Sequence, residues 1–202
     1  SLCCFLGAAS ADIIKGTVLD IQNKPIVNAD VLIRSQSDFG EPFRFQQRKT
    51  NADGEFLIDL PFFGQPHAIA WAVAPGKAPF GISLNTTKNS IRLQDAQILQ
   101  GRVVDQNNTP VKDTAVRCVG LQGGRDRSRY VDLRGTPWEN KFRTVTDAQG
   151  KWQLRCVPAG DIAHLQMQDA RFVTIDRSVP EGQDSTLLQV QPGAVLTGRI
   201  VD

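Results

Sequence analysis

One short pattern constrains this chain more than anything else in it. Gly16-Thr17-Val18-Leu19-Asp20 is followed, after a four-residue gap, by Pro25. The same order returns as Gly101-Arg102-Val103-Val104-Asp105 with Pro110, and its opening appears again as Gly198-Arg199-Ile200-Val201-Asp202. A glycine inside an apolar alternation, then an acid and a proline, reads as the end of a strand and the turn after it. Repetition at this spacing means a string of like modules, each of roughly 85 to 95 residues, and not one large core.

The residues between the repeats read as strands throughout. Ile14, Gly16 and Val18 share one face of the first strand, because side chains alternate. Ala29, Val31 and Ile33 mark the second, and the mostly polar run from Phe43 to Thr50 is a third, suited to a sheet edge. Asn51-Ala52-Asp53-Gly54 is a hairpin turn, followed by Phe56, Ile58 and Leu60 pointing inward. Ile69, Trp71 and Val73 alternate in a fifth strand stopped by Pro75-Gly76, and Ile91 with Leu93 closes the module. The second module copies this order. Leu99, Gly101 and Val103 stand for the first strand, and Thr114, Val116 and Cys118 for the second. Trp152, Leu154 and Cys156 stand for Phe56, Ile58 and Leu60, and Leu165 with Met167 for Ile69 with Trp71. No helical period competes, and the pattern predicts an all-β chain of sandwiches joined by very short linkers, a semi-rigid rod. The boundaries expected are a leader remnant over 1–11, modules over 12–95 and 96–192, and the start of a third over 193–202.

Composition agrees. Seventeen Gly, eleven Pro and a single Met suit many turns and short strands. A net charge of +2 lacks the clustered basic excess of a nucleic-acid binder, and no partner of that class is expected. Leu2 to Ala9 is a short apolar run, too short to span a bilayer, followed by Ala9-Ser10-Ala11 and polar Asp12. That order reads as the tail of a secretory signal cleaved after Ala11, so export to periplasm, cell surface or medium is expected.

Taken together, G-x-V-x-D-x4-P, A-x-V-x-I and T-x-x-x-G-x-F-x-I, with an apolar alternation ended by Pro-Gly, resemble the carboxypeptidase regulatory-like domain. The resemblance covers both modules and the third opening. It implies two tandem seven-strand-type prealbumin/Ig-like β-sandwiches plus the first strand of a third, in an exported bacterial multidomain protein. It also implies kinship with carbohydrate-binding-like folds and adhesin repeats. It carries over no catalytic residue, since its Gly, Asp and Pro serve turns. Adhesin repeats of this kind sometimes bear Lys–Asn crosslinks. Lys15 stands in a first strand, but its counterpart is Gln100, so no such device is expected.

Chemistry-bearing motifs are few. His67 and His164 begin no H-x-x-E or H-E-x-x-H motif, Gly81-Ile82-Ser83-Leu84-Asn85 is not a nucleophile elbow, and Gly123-Gly124 starts no phosphate loop. No enzyme, cofactor or metal is expected. Cys118 and Cys156 replace the core aliphatics Ile33 and Leu60, so they form either a disulfide or a pair of buried free thiols. The long loop from Gly120 to Lys141 carries Arg125, Arg127, Arg129, Tyr130 and Trp138. These form either a contact patch for an acidic or carbohydrate partner or a solvated loop pinned by an aromatic, and the second is simpler. Phe62 and Phe63 are either a contact tip or a cap on the core. The reading this supports is a non-catalytic spacer or display module whose partners are neighbouring domains of the same chain. The alternatives are a module binding polysaccharide or a surface protein, and accessory domains of an enzyme.

Overall fold

A computed structural model describes residues 12–36, 42–60, 68–84, 89–124, 130–183 and 186–193. The leader, Phe62, Phe63, Arg125, Arg127, Arg129 and the third opening lie outside those residues. The chain is all-β and divides into two compact units between Gln94 and Asp95.

The first unit contains β1 (Asp12–Asp20), β2 (Asp30–Ser35), β3 (Arg44–Lys49), β4 (Glu55–Leu60), β5 (Ile69–Val73), β6 (Phe80–Ser83) and β7 (Asn89–Leu93). One sheet has the order β4-β1-β7, with β1 antiparallel to β4 and parallel to β7. The other is β3-β2-β5-β6, antiparallel throughout, which leaves polar β3 at an edge. Between them lies a core that includes Ile14, Val18, Val31, Ile33, Phe56, Ile58, Ile91 and Leu93.

The second unit repeats this topology with β8 (Gln97–Val104), β9 (Ala115–Gln122), β10 (Tyr130–Asp132), β11 (Arg143–Val145), β12 (Lys151–Val157), β13 (Ile162–Met167), β14 (Ile175–Pro180) and β15 (Thr186–Gln189). Its sheets are β12-β8-β15 and β10-β9-β13-β14, with β11 also on β9. Here the edge strand equivalent to β3 is split. β11 pairs with the start of β9 and β10 with its end, and residues 133–142 form turns between them. The predicted loop from Gly120 to Lys141 therefore contains a strand of its own.

The repeated signature has a physical basis in each letter. Gly16 lies opposite Phe56, and a Cβ there would stand 2.2 Å from the ring's Cζ. Gly101 lies opposite Trp152, where a Cβ would meet the Thr186 carbonyl oxygen at 2.1 Å. The glycine lets an aromatic ring lie across the strand. Asp20 Oδ1 accepts the amides of Gln22 at 2.9 Å and Lys24 at 2.8 Å, and Asp105 does the same for Asn107 and Thr109, both at 2.8 Å. Asn51 and Asp147 cap the second turn in the same way, before Gly54 and Gly150 at φ of 70° and 71°.

One expectation is corrected by the register. Val31 pairs with Ala72 and Val116 with Met167, so Leu165 and Met167 correspond to Ala70 and Ala72, one residue away from Ile69 and Trp71. Strand β5 is buried on both faces, and its core-facing set is the alanines. Strands β6 and β14, to which no residues are assigned from the sequence, form an edge of each unit; both are partly exposed and lack strict alternation.

Candidate functional site

The densest polar network of the described residues in the second unit covers the sheet of β9, β13 and β14, on the face turned away from the core. Alternation dictates this. Val116 and Cys118 point inward, so Arg117 points outward, and Gln166 lies outward opposite it on β13. Arg117 donates to Gln166 Oε1 at 2.5 and 3.1 Å, to Gln168 at 2.6 Å and to Asn140 at 3.3 Å, and pairs with Glu139 at 3.1 Å. Gln166 in turn donates to Asp176 of β14 at 3.1 Å, which Arg134 reaches at 3.4 Å. Arg134 also lies 3.8 Å from Asp132.

One end of the face carries His164, whose Nδ1 lies 3.0 Å from Ser178 Oγ. Tyr130 meets the imidazole edge-on, with centroids 5.8 Å apart. Partial burial and the Arg134 cation hold the imidazole below its ordinary pKa. Nε2 is enclosed without a hydrogen-bond partner among the described residues, so no acid stands behind the ring to complete a nucleophilic triad. The cations and anions of the face neutralise one another, and the arrangement favours a rigid polar surface over an anion receptor.

Of the predicted contact residues, Tyr130 is half exposed on edge strand β10. Trp138 is 3% exposed, with Lys141 Nζ 5.3 Å from its ring centroid. Leu133 and Phe142 are also buried, and Thr136 accepts the Trp138 amide at 3.2 Å. Trp138 thus fastens residues 133–142 to the sandwich. The polar network itself was not read from sequence. Its members lie tens of residues apart, and only the strand register brings them together.

At the start of β9, Arg171 holds Asp169 through two hydrogen bonds, at 2.9 and 2.8 Å, and donates to Thr114 Oγ1 at 2.8 Å. Those bonds pull the Asp169 carboxyl well below the usual carboxylate range. Gly193 N donates to the Arg171 carbonyl at 3.2 Å, which ties the residues after β15 to the same corner. In the first unit, Lys15 points outward and pairs with Glu55 at 2.5 Å. The faces of the two units differ most at Leu32 and Trp71, which occupy the places of Arg117 and Gln166. Trp71 is buried across Gly81, with the Arg34 guanidinium 5.2 Å from its ring centroid and 4.4 Å from that of Phe43.

Among the described residues no group of three or more His, Cys, Asp or Glu side chains is placed to hold a metal ion, and no helix is long and apolar enough to cross a membrane. No protein-family model matches the chain, and no curated protein matches it. Among solved structures it is similar to a streptococcal ancillary pilin, at 12% identity and a TM-score of 0.38, over 91% of this chain and 62% of that one. It is similar to the full-length RrgB pilus protein of Streptococcus pneumoniae at 8% identity and a TM-score of 0.36, over 94% of this chain and 48% of that one. A shaft pilin, SpaA from Lactobacillus rhamnosus GG, aligns at 11% identity and a TM-score of 0.34, over 93% of this chain and 100% of that one. Likenesses this distant assign no activity.

Proposed function

We propose that this chain is a non-catalytic structural part of an exported multidomain surface protein, in which tandem sandwich modules space, display or connect other domains. One observation carries the reading. What the two units share is folding machinery: Gly16 with Gly101, Asp20 with Asp105, Thr50 with Thr146 and Asn51 with Asp147 each serve a turn or a packing contact. What the second unit adds on its polar face is a set of charges already engaged with one another. Only Gln94, Asp95 and Ala96 separate β7 from β8, so a further module extends the chain with little linker. The finer family reading, a carboxypeptidase regulatory-like array, rests on the repeated signature, and export rests on the Leu2–Ala11 pattern.

The test is a module exchange in the full polypeptide. Residues 95–193 are replaced by a second copy of 12–94, and surface display and adhesion are measured. A spacer tolerates the exchange with both retained. Retained display with lost adhesion would overturn it in favour of a binding module, and a glycan array on the unaltered chain would then identify any polysaccharide.

A further inference from the structure

We infer that Cys118 and Cys156 form a disulfide that staples the two sheets of the second unit together, a crosslink with no counterpart in the first. The inference goes beyond the spacer reading and does not depend on it. Cys118 lies on β9 in one sheet and Cys156 on β12 in the other, both fully buried. Facing sheets are ordinarily about 10 Å apart, wider than the roughly 4.4–6.8 Å between Cα atoms that a disulfide spans. A bond between them therefore needs a local departure from regular pairing, and the register has one at each cysteine. On β12 the pairing with β8 jumps from Arg155 to Val157, leaving Cys156 as the extra residue of a β-bulge. On β9 the pairing with β13 jumps from Cys118 to Gly120, a second bulge at Val119 beside Cys118.

A bulge bends its strand and re-aims a side chain. In the first unit the corresponding ladders run without a shift, β1 with β4 as far as its end at Leu60 and β2 with β5 through Ile33 to Arg34. The two irregularities therefore occur where the thiols replace aliphatics. In the structure both are free, buried thiols, and Cys118 Sγ donates to the Gly120 carbonyl oxygen of its own strand at 3.2 Å.

The oxidant is a small-molecule or protein disulfide. One cysteine thiolate attacks it and releases one of its sulfurs as a thiol. The second cysteine then displaces the other sulfur and closes the Cys118–Cys156 bond. The pair gives up two electrons and two protons, and the oxidant's disulfide takes them as two thiols. The hydrogen bond to Cys118 and burial push the folded Cys156 thiol well above its ordinary range, so little thiolate exists once the sheets have met. The bond forms as the sandwich closes.

The experiment is oxidative refolding of the full chain in reduced and oxidised glutathione, with free thiols trapped by alkylation and the product mapped without reductant. The expected result is a peptide joining Cys118 to Cys156. Reductant should then lower the melting temperature of the second unit by on the order of 10 °C or more. A double variant, Cys118→Ile with Cys156→Leu, should melt at the same temperature with and without reductant. Recovery of both cysteines alkylated from refolded protein, their bonding to Cys3 or Cys4, or the same reductant effect in the double variant would each overturn the inference.

Discussion

Replacing Gly16 or Gly101 by alanine tests whether the repeated glycine is there for space. At Gly16 the new Cβ would stand 2.2, 2.6 and 2.8 Å from three atoms of the Phe56 ring. Ordinary contact begins near 3.5 Å, so the ring must retreat by about 1.3 Å. Phe56 is buried within the core cluster, and its retreat displaces Ile14, Val18 and their neighbours. Overpacking of this kind costs about 1–3 kcal/mol. Against it stands the gain of ~0.4–1 kcal/mol from a less flexible unfolded chain. The core term wins, and Gly16→Ala should destabilise by roughly 1–2 kcal/mol. At Gly101 the obstacle at 2.1 Å is the carbonyl oxygen of Thr186, a backbone atom paired with Gly101 in the β8–β15 ladder, and Trp152 stands at 2.7 Å behind it. A ring can tilt, whereas a ladder strand cannot move without losing hydrogen bonds worth about 1 kcal/mol each. Gly101→Ala should therefore cost roughly 2–4 kcal/mol. Urea unfolding followed by tryptophan fluorescence reads the two units apart, since Trp71 lies in one and Trp138 and Trp152 in the other. Phe56→Leu should recover much of the Gly16→Ala loss, with a coupling of about 1 kcal/mol, while Trp152→Leu should rescue Gly101→Ala less. A smaller cost at Gly101 than at Gly16, or no coupling with Phe56, would refute the reasoning.

Other outcomes follow from the same contacts. Asp20→Ala and Asp105→Ala each remove the acceptor of two turn amides and should lower stability by about 1 kcal/mol, with the Asn variants closer to wild type in the same urea titration. Asp169 titrates below its ordinary value of 3.8 when folded, so the stability it supplies is fully present above that value and is lost as pH falls through the lower folded one. Asp169→Asn should accordingly flatten the acid limb of the second unit's stability below about pH 4, as measured by denaturation midpoints across pH. Trp138→Ala should cost about 3–5 kcal/mol and open residues 133–142 to limited proteolysis, whereas Tyr130→Ala on the exposed edge should do neither.

Where a residue's partner was close along the chain, the sequence was enough to find it. Asp20 reaches amides two and four residues ahead, and Asn51 does likewise, so composition and spacing reveal both turns. Alternation likewise places Ile14, Val18, Val31 and Ile33 inward, although Leu32 on the opposite face of β2 is buried as well. Alternation picked the wrong face in β5, where Ala70, Trp71, Ala72 and Val73 are all buried, and gave no answer at β6 and β14, which lack a strict alternation of buried and exposed residues. The polar face was hidden for a different reason: Arg117, Gln166, Asp176 and Glu139 carry no shared spacing and meet only through register. The cysteines fall between these cases. Alignment with Ile33 and Leu60 put both thiols in the core, but the bulges at and beside them are properties of pairing and leave no mark in either strand. The two units thus agree where folding is decided locally and diverge where strands meet. At the same two positions one carries Leu32 against Trp71 and the other Arg117 against Gln166. Any property belonging to the second unit alone is therefore to be sought on this face and in its two cysteines, Cys156 at a bulge and Cys118 beside one.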